Sequence, residues 1–448
     1  MSDTGELLPD ATSSSSLASL RVENLHGKFT YEVNFGSLEG PAPEADGLIT
    51  AVNDERLSLL YGRNGSGKTS LLTLLFHGLS ADDQRGHRRA MARVKFDRFD
   101  VKFVNGDAVT YRRDHPTVRA PLVLEVSADG QEVESIYTGE PERFEDETPA
   151  AVELLATLAI NPTLLSDSRA FHSDLLEKPD AADERLVVNT RRRLVEDLIT
   201  QRRNADLAYA LDRVQRFISQ LVLAGARRGS QRVDSVYVDV ASVIVEHAQT
   251  VGRPRKSTVP DLRARIEAIA QRAGPYSSTG LIPRFPQDQL LSALAGAQAR
   301  NGPLLDHVLS PYLDGVEQRM SAFEPGLKAI STYVSSVNSF LEGKQLTFSP
   351  GLGSTISDEA TGEELEPHDL SSGEKQILLL LANLIAMRDS TKLFIIDEPE
   401  LSLNPGWQRN LMPALLSVTE GTAMQIVAAT HSIEIMARYQ SRLRPLAE

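Results

Sequence analysis

The chain contains no cysteine. Disulfide frameworks and thiolate metal sites are therefore excluded, and cysteine usage gives no reading of the redox compartment. Long hydrophobic runs are missing too. The longest apolar stretch, Ile377 to Met387, is broken by Asn383 and too short to span a bilayer. The nine histidines show no paired metal-ligand spacing. The opening residues, MSDTGELLPDATSSSSLAS, lack the basic start and apolar core of a signal peptide, and residues 1–19 read as a disordered leader. Together these absences predict a cytoplasmic protein with no membrane partner. An overall surplus of positive charge is absent as well. The net charge of −14 argues against a surface that coats nucleic acid uniformly.

What is present is a chain of 448 residues, long enough for a large core and for two or three domains. Its charge is uneven. Between Arg185 and Gly274 there are 17 basic against 9 acidic residues, with runs at Arg191–Arg193, Arg202–Arg203 and Arg253–Lys256. This stretch is either a contact surface for nucleic acid or an acidic partner, or a set of solvated helix faces.

Residues 62–69 read Gly62-Arg63-Asn64-Gly65-Ser66-Gly67-Lys68-Thr69, a complete GxxxxGK[ST] phosphate-binding loop. Its glycines let backbone N–H groups curl around phosphates, and the helix that follows adds its partial positive charge. Lys68 neutralises the phosphates, and Thr69 offers a hydroxyl to Mg²⁺. With Ser70, these residues are the expected ATP contacts. The apolar strand Leu57–Tyr61 before the loop and the helical run Ser70–His77 after it supply the required context. Far downstream, Leu393–Ile396 is an apolar strand ending in Asp397-Glu398. Such a strand delivers both carboxylates to its C-terminal tip, where α/β proteins place ligands. Asp397 is the expected Mg²⁺ residue, and Glu398 the residue that orients and polarises attacking water. Pro399 predicts an extended backbone at Glu398.

Between these motifs, Val94–Arg112 and Pro121–Tyr137 read as antiparallel strands with turns at Asn105-Gly106 and Asp129-Gly130. Helical spacing recurs over 150–158, 185–225 (Leu194, Leu198, Leu207, Leu211, Val214, Ile218), 260–273 and 304–323. In the last, Leu305, Val308, Leu309, Tyr312, Val316, Met320 and Phe323 form one face, with Pro311 and Pro325 as interruptions. Heptads do not persist, so a compact helical insertion is expected rather than a long coiled coil. Strand Gln345–Phe348, helix Trp407–Leu416, strand Gln425–Ala429 and a helix from Ile433 complete the pattern. Strand and helix alternate at both ends of the chain, which predicts an α/β fold around a parallel sheet.

The segment Leu370-Ser371-Ser372-Gly373-Glu374 resembles the signature of ABC-type ATPases. His431 matches the switch histidine of that superfamily, and Leu403-Asn404 falls where its D-loop lies. The resemblance implies a P-loop NTPase head of two lobes that dimerises head-to-tail, as a homodimer or a larger even oligomer. Ser371, Gly373 and Glu374 would then reach the nucleotide held by the partner's loop, and Glu398 and His431 would be catalytic. Ser371 is also placed to cap a helix with Glu374 at its third position, a role compatible with the first. Ser371 lies 303 positions after Lys68, a spacing that exceeds a transporter domain and is similar to the SMC, RecF and OLD-like branch. The wording SSGEKQ, DEPELSLNPGWQ and ATHS resembles ATPase subunits of Septu- or PARIS-type bacterial anti-phage defence systems. The implied division is a leader at 1–19, an N-terminal lobe at 20–184, a helical insertion at 185–342 and a C-terminal lobe at 343–448.

The chain departs from the pattern in having no evident Q-loop glutamine. Gln84 and Gln131 fit poorly, and segment 165–169 is the alternative. Phe29, Tyr31 and Tyr61 are the aromatic options for an adenine contact. Only 17 residues follow His431, so a nuclease or toxin effector is expected on a separate chain. The implied function is an ATP-driven switch controlling that effector. The alternative is a RecF- or SMC-like ATPase that binds DNA through the basic insertion.

Overall fold

A computed structural model describes residues 16–36, 54–113, 115, 117, 120–138, 149–167, 169–175, 204–228, 258–295 and 302–446. The basic runs at Arg191–Arg193, Arg202–Arg203 and Arg253–Lys256, together with Leu194 and Leu198, lie outside the described residues, as do residues 1–15.

In chain order the first elements are β1 (Leu17–Leu25), β2 (Phe29–Asn34), β3 (Leu57–Tyr61), α1 (Lys68–Leu79) and α2 (His87–Arg93). Then come β4 (Arg98–Phe103), β5 (Ala108–Arg113), β6 (Leu122–Ala128), β7 (Gln131–Tyr137), α3 (Ala150–Thr157), β8 (Thr163–Leu165) and β9 (Phe171–Ser173). The helices α4 (204–228), α5 (Val259–Ser278), α6 (Gln287–Ala295) and α7 (Gly302–Asn338) follow. The chain closes with β10 (Lys344–Ser349), β11 (Gly353–Asp358), α8 (Ser372–Met387), β12 (Leu393–Asp397), α9 (Pro405–Val418), β13 (Gln425–Ala429), α10 (Ile433–Arg438) and β14 (Leu443–Pro445).

These elements form two compact units, one of Met1–Leu198 with Met387–Glu448, the other of Ile199–Ala386. The division falls at 386/387, so the signature segment belongs to the same unit as the helices, whereas the sequence reading groups 343–448 together. β1 begins at Leu17, inside the stretch read as leader.

The first unit holds two sheets. One is ordered β14-β3-β13-β12-β8-β9 and is parallel except for β9. Its central strands β12 and β13 are buried almost end to end, as apolar runs covered on both faces must be. The other is antiparallel, ordered β2-β1-β4-β5-β6-β7. α1 packs against β8, β12 and β13 of the first sheet and β5 of the second. Its Leu71, Leu72, Leu74 and Leu75 join Val22, Phe99, Tyr111, Ile395 and Val427 in one buried cluster. The Asp129-Gly130 turn is the two-residue hairpin its sequence predicts. Both residues have positive φ (51° and 76°), and Ala128 pairs with Gln131. At Asn105-Gly106 the connection is wider: the Phe103 N–H reaches the Asp107 carbonyl, and Gly106 alone takes the left-handed turn (φ 94°).

In the second unit α4 buries Leu207, Val214 and Ile218, while Leu211 is only half-buried. α5 starts at a capping box between Thr258 and Asp261. The helix expected over 304–323 is a single 37-residue element, α7, running through Pro311 and Pro325. Each proline removes one helical hydrogen bond, but Leu313, Met320, Phe323, Ile330, Tyr333 and Val337 form a buried stripe that holds the helix across both. Tyr312, read from the sequence as part of that face, is exposed, with its ring against Phe285. Asn383, the polar break in the apolar run, is buried in α8, accepting from Arg213 and donating to the Leu379 carbonyl.

Candidate active site

β3 ends at Tyr61 and releases the chain into the loop 62–67, and α1 starts at Lys68. Gly65 and Gly67 have φ of 80° and 82°, a conformation that side chains resist. A Cβ on Gly67 would also stand 3.2 Å from Leu25 Cδ2. The loop is braced from β2 and from the β1–β2 turn: the Tyr31 hydroxyl donates to the Ser66 carbonyl (2.8 Å), and His26 Nε2 lies 2.8 Å from Ser70 Oγ. Tyr31, an aromatic option for adenine, is thus a buried support of the loop, with Phe29 stacked on its ring.

The Lys68 ammonium donates to the carbonyls of Gly62 (3.0 Å) and Arg63 (3.2 Å). Burial holds its pKa below the usual lysine value, opposed by the charges of Glu398, Asp397 and Glu400. Those charges come from the tip of β12. Its register with β13 (Asp397 beside Ala429) and β8 (Ile396 beside Leu165) brings three connections to one end of the sheet.

Asp397 is 2% exposed, and neither carboxylate oxygen accepts a well-formed hydrogen bond. Burial raises its pKa above the ordinary carboxylate value, and the charges of Asp167 and Glu398 add to this. The Thr69 hydroxyl beside it and Lys68 pull the other way. A buried carboxylate with free lone pairs next to a hydroxyl suits a hard cation such as Mg²⁺ that takes its remaining ligands from phosphate and water. Among the described residues, no three or more acidic or histidine side chains converge into a metal site of their own.

Glu398 lies beyond the strand with φ of 48°, not in the extended backbone that Pro399 predicts. Three bonds hold it there. Its N–H donates to the Ala429 carbonyl (2.9 Å), and its carbonyl accepts from the Leu401 N–H (3.2 Å) and from Arg169 Nη1 (3.2 Å). The turn aims the carboxylate at His431, whose Nε2 is 3.9 Å from Glu398 Oε1, both side chains about one-third exposed (36% and 33%).

Within segment 165–169, Asp167 faces Asp397 electrostatically and Arg169 holds the Glu398 backbone. Gln84 follows α1 at the end away from the phosphate loop, and Gln131 starts the outer strand β7. Glu400 carries no signal in the sequence beyond being a third acid in DEPE, and its partners lie 31 and 32 residues on: Oε1 accepts from the His431 N–H (2.6 Å) and the Ser432 N–H (3.0 Å).

In the second unit, Ser371 is exposed and caps α8. The Ser371 N–H donates to Glu374 Oε2 (2.7 Å), and the Glu374 N–H donates to Ser371 Oγ (3.3 Å). Gly373 is buried in the first turn. Lys344 Nζ donates to both Glu374 oxygens (3.1 and 2.9 Å) and to the Asp369 carbonyl (3.3 Å). The Glu374 carboxylate is thus engaged inside the turn, while the Ser371 hydroxyl stays near the surface.

The chain has partial likenesses among known proteins. A "Putative ABC transporter ATP-binding protein" of Bacillus thuringiensis subsp. konkukian is 36% identical over 77 residues, 17% of this chain and 13% of that protein. The retron Ec83 probable ATPase of Escherichia coli is 28% identical over 162 residues, 33% of this chain and 29% of that protein. The chain thus spans a minor part of the curated relatives it matches. A solved Smc head domain of Pyrococcus furiosus, with an extended coiled coil and bound to the C-terminal domain of ScpA, covers 95% of this chain at 11% identity and a TM-score of 0.36. No helix among the described residues is long and apolar enough to cross a membrane. With residues 57–437 matching the family described as "AAA domain, putative AbiEii toxin, Type IV TA system", the chain belongs to that family of P-loop ATPases.

Proposed function

We propose that this chain hydrolyses ATP and works as a switch: ATP joins two copies head-to-tail, hydrolysis parts them, and a separate effector reads the state. The observation that carries the reading is the tip of β12. Asp397 is buried and without a well-formed hydrogen bond beside Thr69 and Lys68, and the next residue, Glu398, stands 3.9 Å from His431.

The backbone N–H groups of 62–69 and the N-terminus of α1 bind the β- and γ-phosphates, and Lys68 turns from the Gly62 and Arg63 carbonyls to meet their charge. Asp397 and Thr69 would hold Mg²⁺, which when bound neutralises phosphate charge. Glu398 orients a water molecule toward the γ-phosphate and draws its proton, and His431 lies within reach of the same water. Ser371, exposed at the start of α8, supplies a hydroxyl to the γ-phosphate held by the second copy, with the Gly373 N–H behind it. The effector is a nuclease or toxin in anti-phage defence. This part of the reading is supported by the likeness to a retron ATPase and by a family description that includes toxin–antitoxin systems.

Glu398→Gln tests the reading. ATP affinity is expected to stay at the wild-type value, turnover to fall about 10²- to 10⁴-fold, and the chain to run as a dimer with ATP in light scattering. A variant that remains monomeric at saturating ATP sinks the head-to-tail mechanism. Lys68→Ala is expected to abolish nucleotide binding, and unchanged affinity in calorimetry would count against the phosphate loop.

A further inference from the structure

The roles given to Asp397, Glu398 and His431 leave Glu400 unexplained. Its side chain is largely buried (the residue is 9% exposed), at the turn that follows β12. One oxygen, Oε1, accepts from two successive backbone N–H groups at the end of β13, His431 at 2.6 Å and Ser432 at 3.0 Å. The Ser432 N–H is shared with Thr430 Oγ1 (3.0 Å). Bonds from N–H to a carboxylate are about twice as strong as neutral ones. Ser432 carries the restraint onward. Its hydroxyl accepts from the Ile435 N–H to cap α10 (3.2 Å) and donates to Gln408 Oε1 (2.7 Å), while Gln408 Nε2 donates to the Leu403 carbonyl (2.9 Å). The loop after β12 and the loop after β13 are thereby locked to one another, and His431 sits at the lock.

We propose that Glu400 is a positioning residue for hydrolysis: its carboxylate fixes the backbone of His431 and Ser432 and so aims the imidazole at Glu398 and the attacking water. The proposal rests on the reading of Glu398 and His431 as the catalytic pair. Glu400 acts only through the histidine, so it contributes to turnover and not to nucleotide affinity.

Its charge also reaches Lys68, and electrostatics is the rival explanation. Two substitutions separate them. Glu400→Gln keeps an acceptor oxygen at the same reach and removes the charge. Glu400→Asp keeps the charge and withdraws it by one methylene, about 1.5 Å. The experiment measures kcat, KM and calorimetric ATP affinity on the full chain for both variants, for Glu398→Gln, for His431→Ala and for the Glu400→Asp/His431→Ala double variant. Expected are a kcat for Glu400→Gln within about 3-fold of wild type and a loss of about 100-fold for Glu400→Asp, with ATP affinity unchanged in both. In the His431→Ala background Glu400→Asp should add less than about 2-fold, because its route to the reaction is already gone.

Wild-type kcat in Glu400→Asp, an equal loss in Glu400→Gln, or a full multiplicative loss on top of His431→Ala overturns the proposal. If Glu398→Gln and His431→Ala themselves keep wild-type turnover, the catalytic pair has failed and the proposal falls with it. If they lose turnover and Glu400→Asp does not, the failure belongs to Glu400 alone. Should Glu400→Asp not fold, amide exchange in wild type and Glu400→Gln decides: slow exchange at His431 and Ser432 in both supports the lock, and fast exchange in either overturns it.

Discussion

Arg169 Nη1 donates to the backbone carbonyl of Glu398 at 3.2 Å, joining the turn after β8 to the residue that follows β12. Glu398 holds a φ of 48°, and Arg169 itself lies at 68°. A left-handed non-glycine residue costs about 1–3 kcal/mol and persists only where its surroundings hold it. Arg169 is one of those holds, and its support bears on where the Glu398 carboxylate points. Arg169→Met should therefore lower kcat about 10-fold while leaving ATP affinity unchanged, since small misplacements of a reacting group are costly. Steady-state turnover beside calorimetric affinity checks this, and a variant with weakened affinity and normal kcat would contradict it.

The same backbone allows a comparison at Glu398 itself. Glu398→Ala and Glu398→Gly both delete the carboxylate, and both should be inactive in hydrolysis. Only glycine enjoys the left-handed conformation without steric cost. Glu398→Gly should thus be more stable than Glu398→Ala by about 1 kcal/mol in chemical denaturation, within the usual 1–2 kcal/mol cost of a left-handed residue. Equal stabilities would mean that the turn relaxes once the carboxylate is gone.

The phosphate loop and the Asp397-Glu398 pair were legible because each is written in a few adjacent residues whose local geometry follows from their types. Gly65 and Gly67 need the positive φ that glycine permits, and four apolar residues before Asp397 need a buried strand. The Glu398 turn was not legible. Pro399 favours extension locally, but the Ala429 carbonyl and Arg169 outweigh that preference, and neither is near in sequence. The bond from Glu400 to His431 was hidden for the same reason, since a lone acid in a turn gives no sign of an amide 31 residues away. Pro311 and Pro325 misled because their cost is local, whereas the burial of Met320, Ile330 and Tyr333 is spread along α7.

A cluster at the far end of α1 predicts a pH response. His77 Nδ1 lies 2.8 Å from His87 Nδ1, and His87 Nε2 lies 2.8 Å from Asp174 Oδ1. Burial lowers His77 from 6.5 to about 3, His87, Arg88 and His172 add to the shift, and Asp174 opposes it. The folded chain keeps His77 neutral while the unfolded chain protonates it below 6.5. More protons are then bound by the unfolded state, so stability falls as pH drops from about 6.5 toward 3. His77→Gln retains a hydrogen-bonding group and does not titrate. Its denaturation midpoint should fall less steeply with acid than that of wild type, and parallel curves would refute the assignment.

The turn that presents Ser371 depends on a second ionisation. Burial alone raises the Glu374 pKa, but Lys344 and the Ser371 N–H outweigh it and hold the carboxyl below its ordinary 4.5. A depressed carboxylate contributes stability that is complete above about pH 4.5 and disappears as pH falls through the lower folded value. Lys344→Met leaves a largely buried carboxylate with the Ser371 N–H as its main counterweight, so its folded pKa rises toward the unfolded value and the acid-dependent loss of stability shrinks. Glu374→Gln removes this titration altogether and flattens the acid limb, while its amide oxygen can still accept from the Ser371 N–H. In the proposed mechanism Ser371 serves the nucleotide of the second copy. Lys344→Met should therefore lower turnover and weaken ATP-driven dimerisation at neutral pH, while binding of ATP to the single chain through Lys68 stays unchanged. Denaturation across pH together with light scattering in ATP tests both halves. Wild-type dimerisation in Lys344→Met, despite the shallower acid limb, would show that the Glu374 ion pair supports the fold of the turn and not the placement of Ser371.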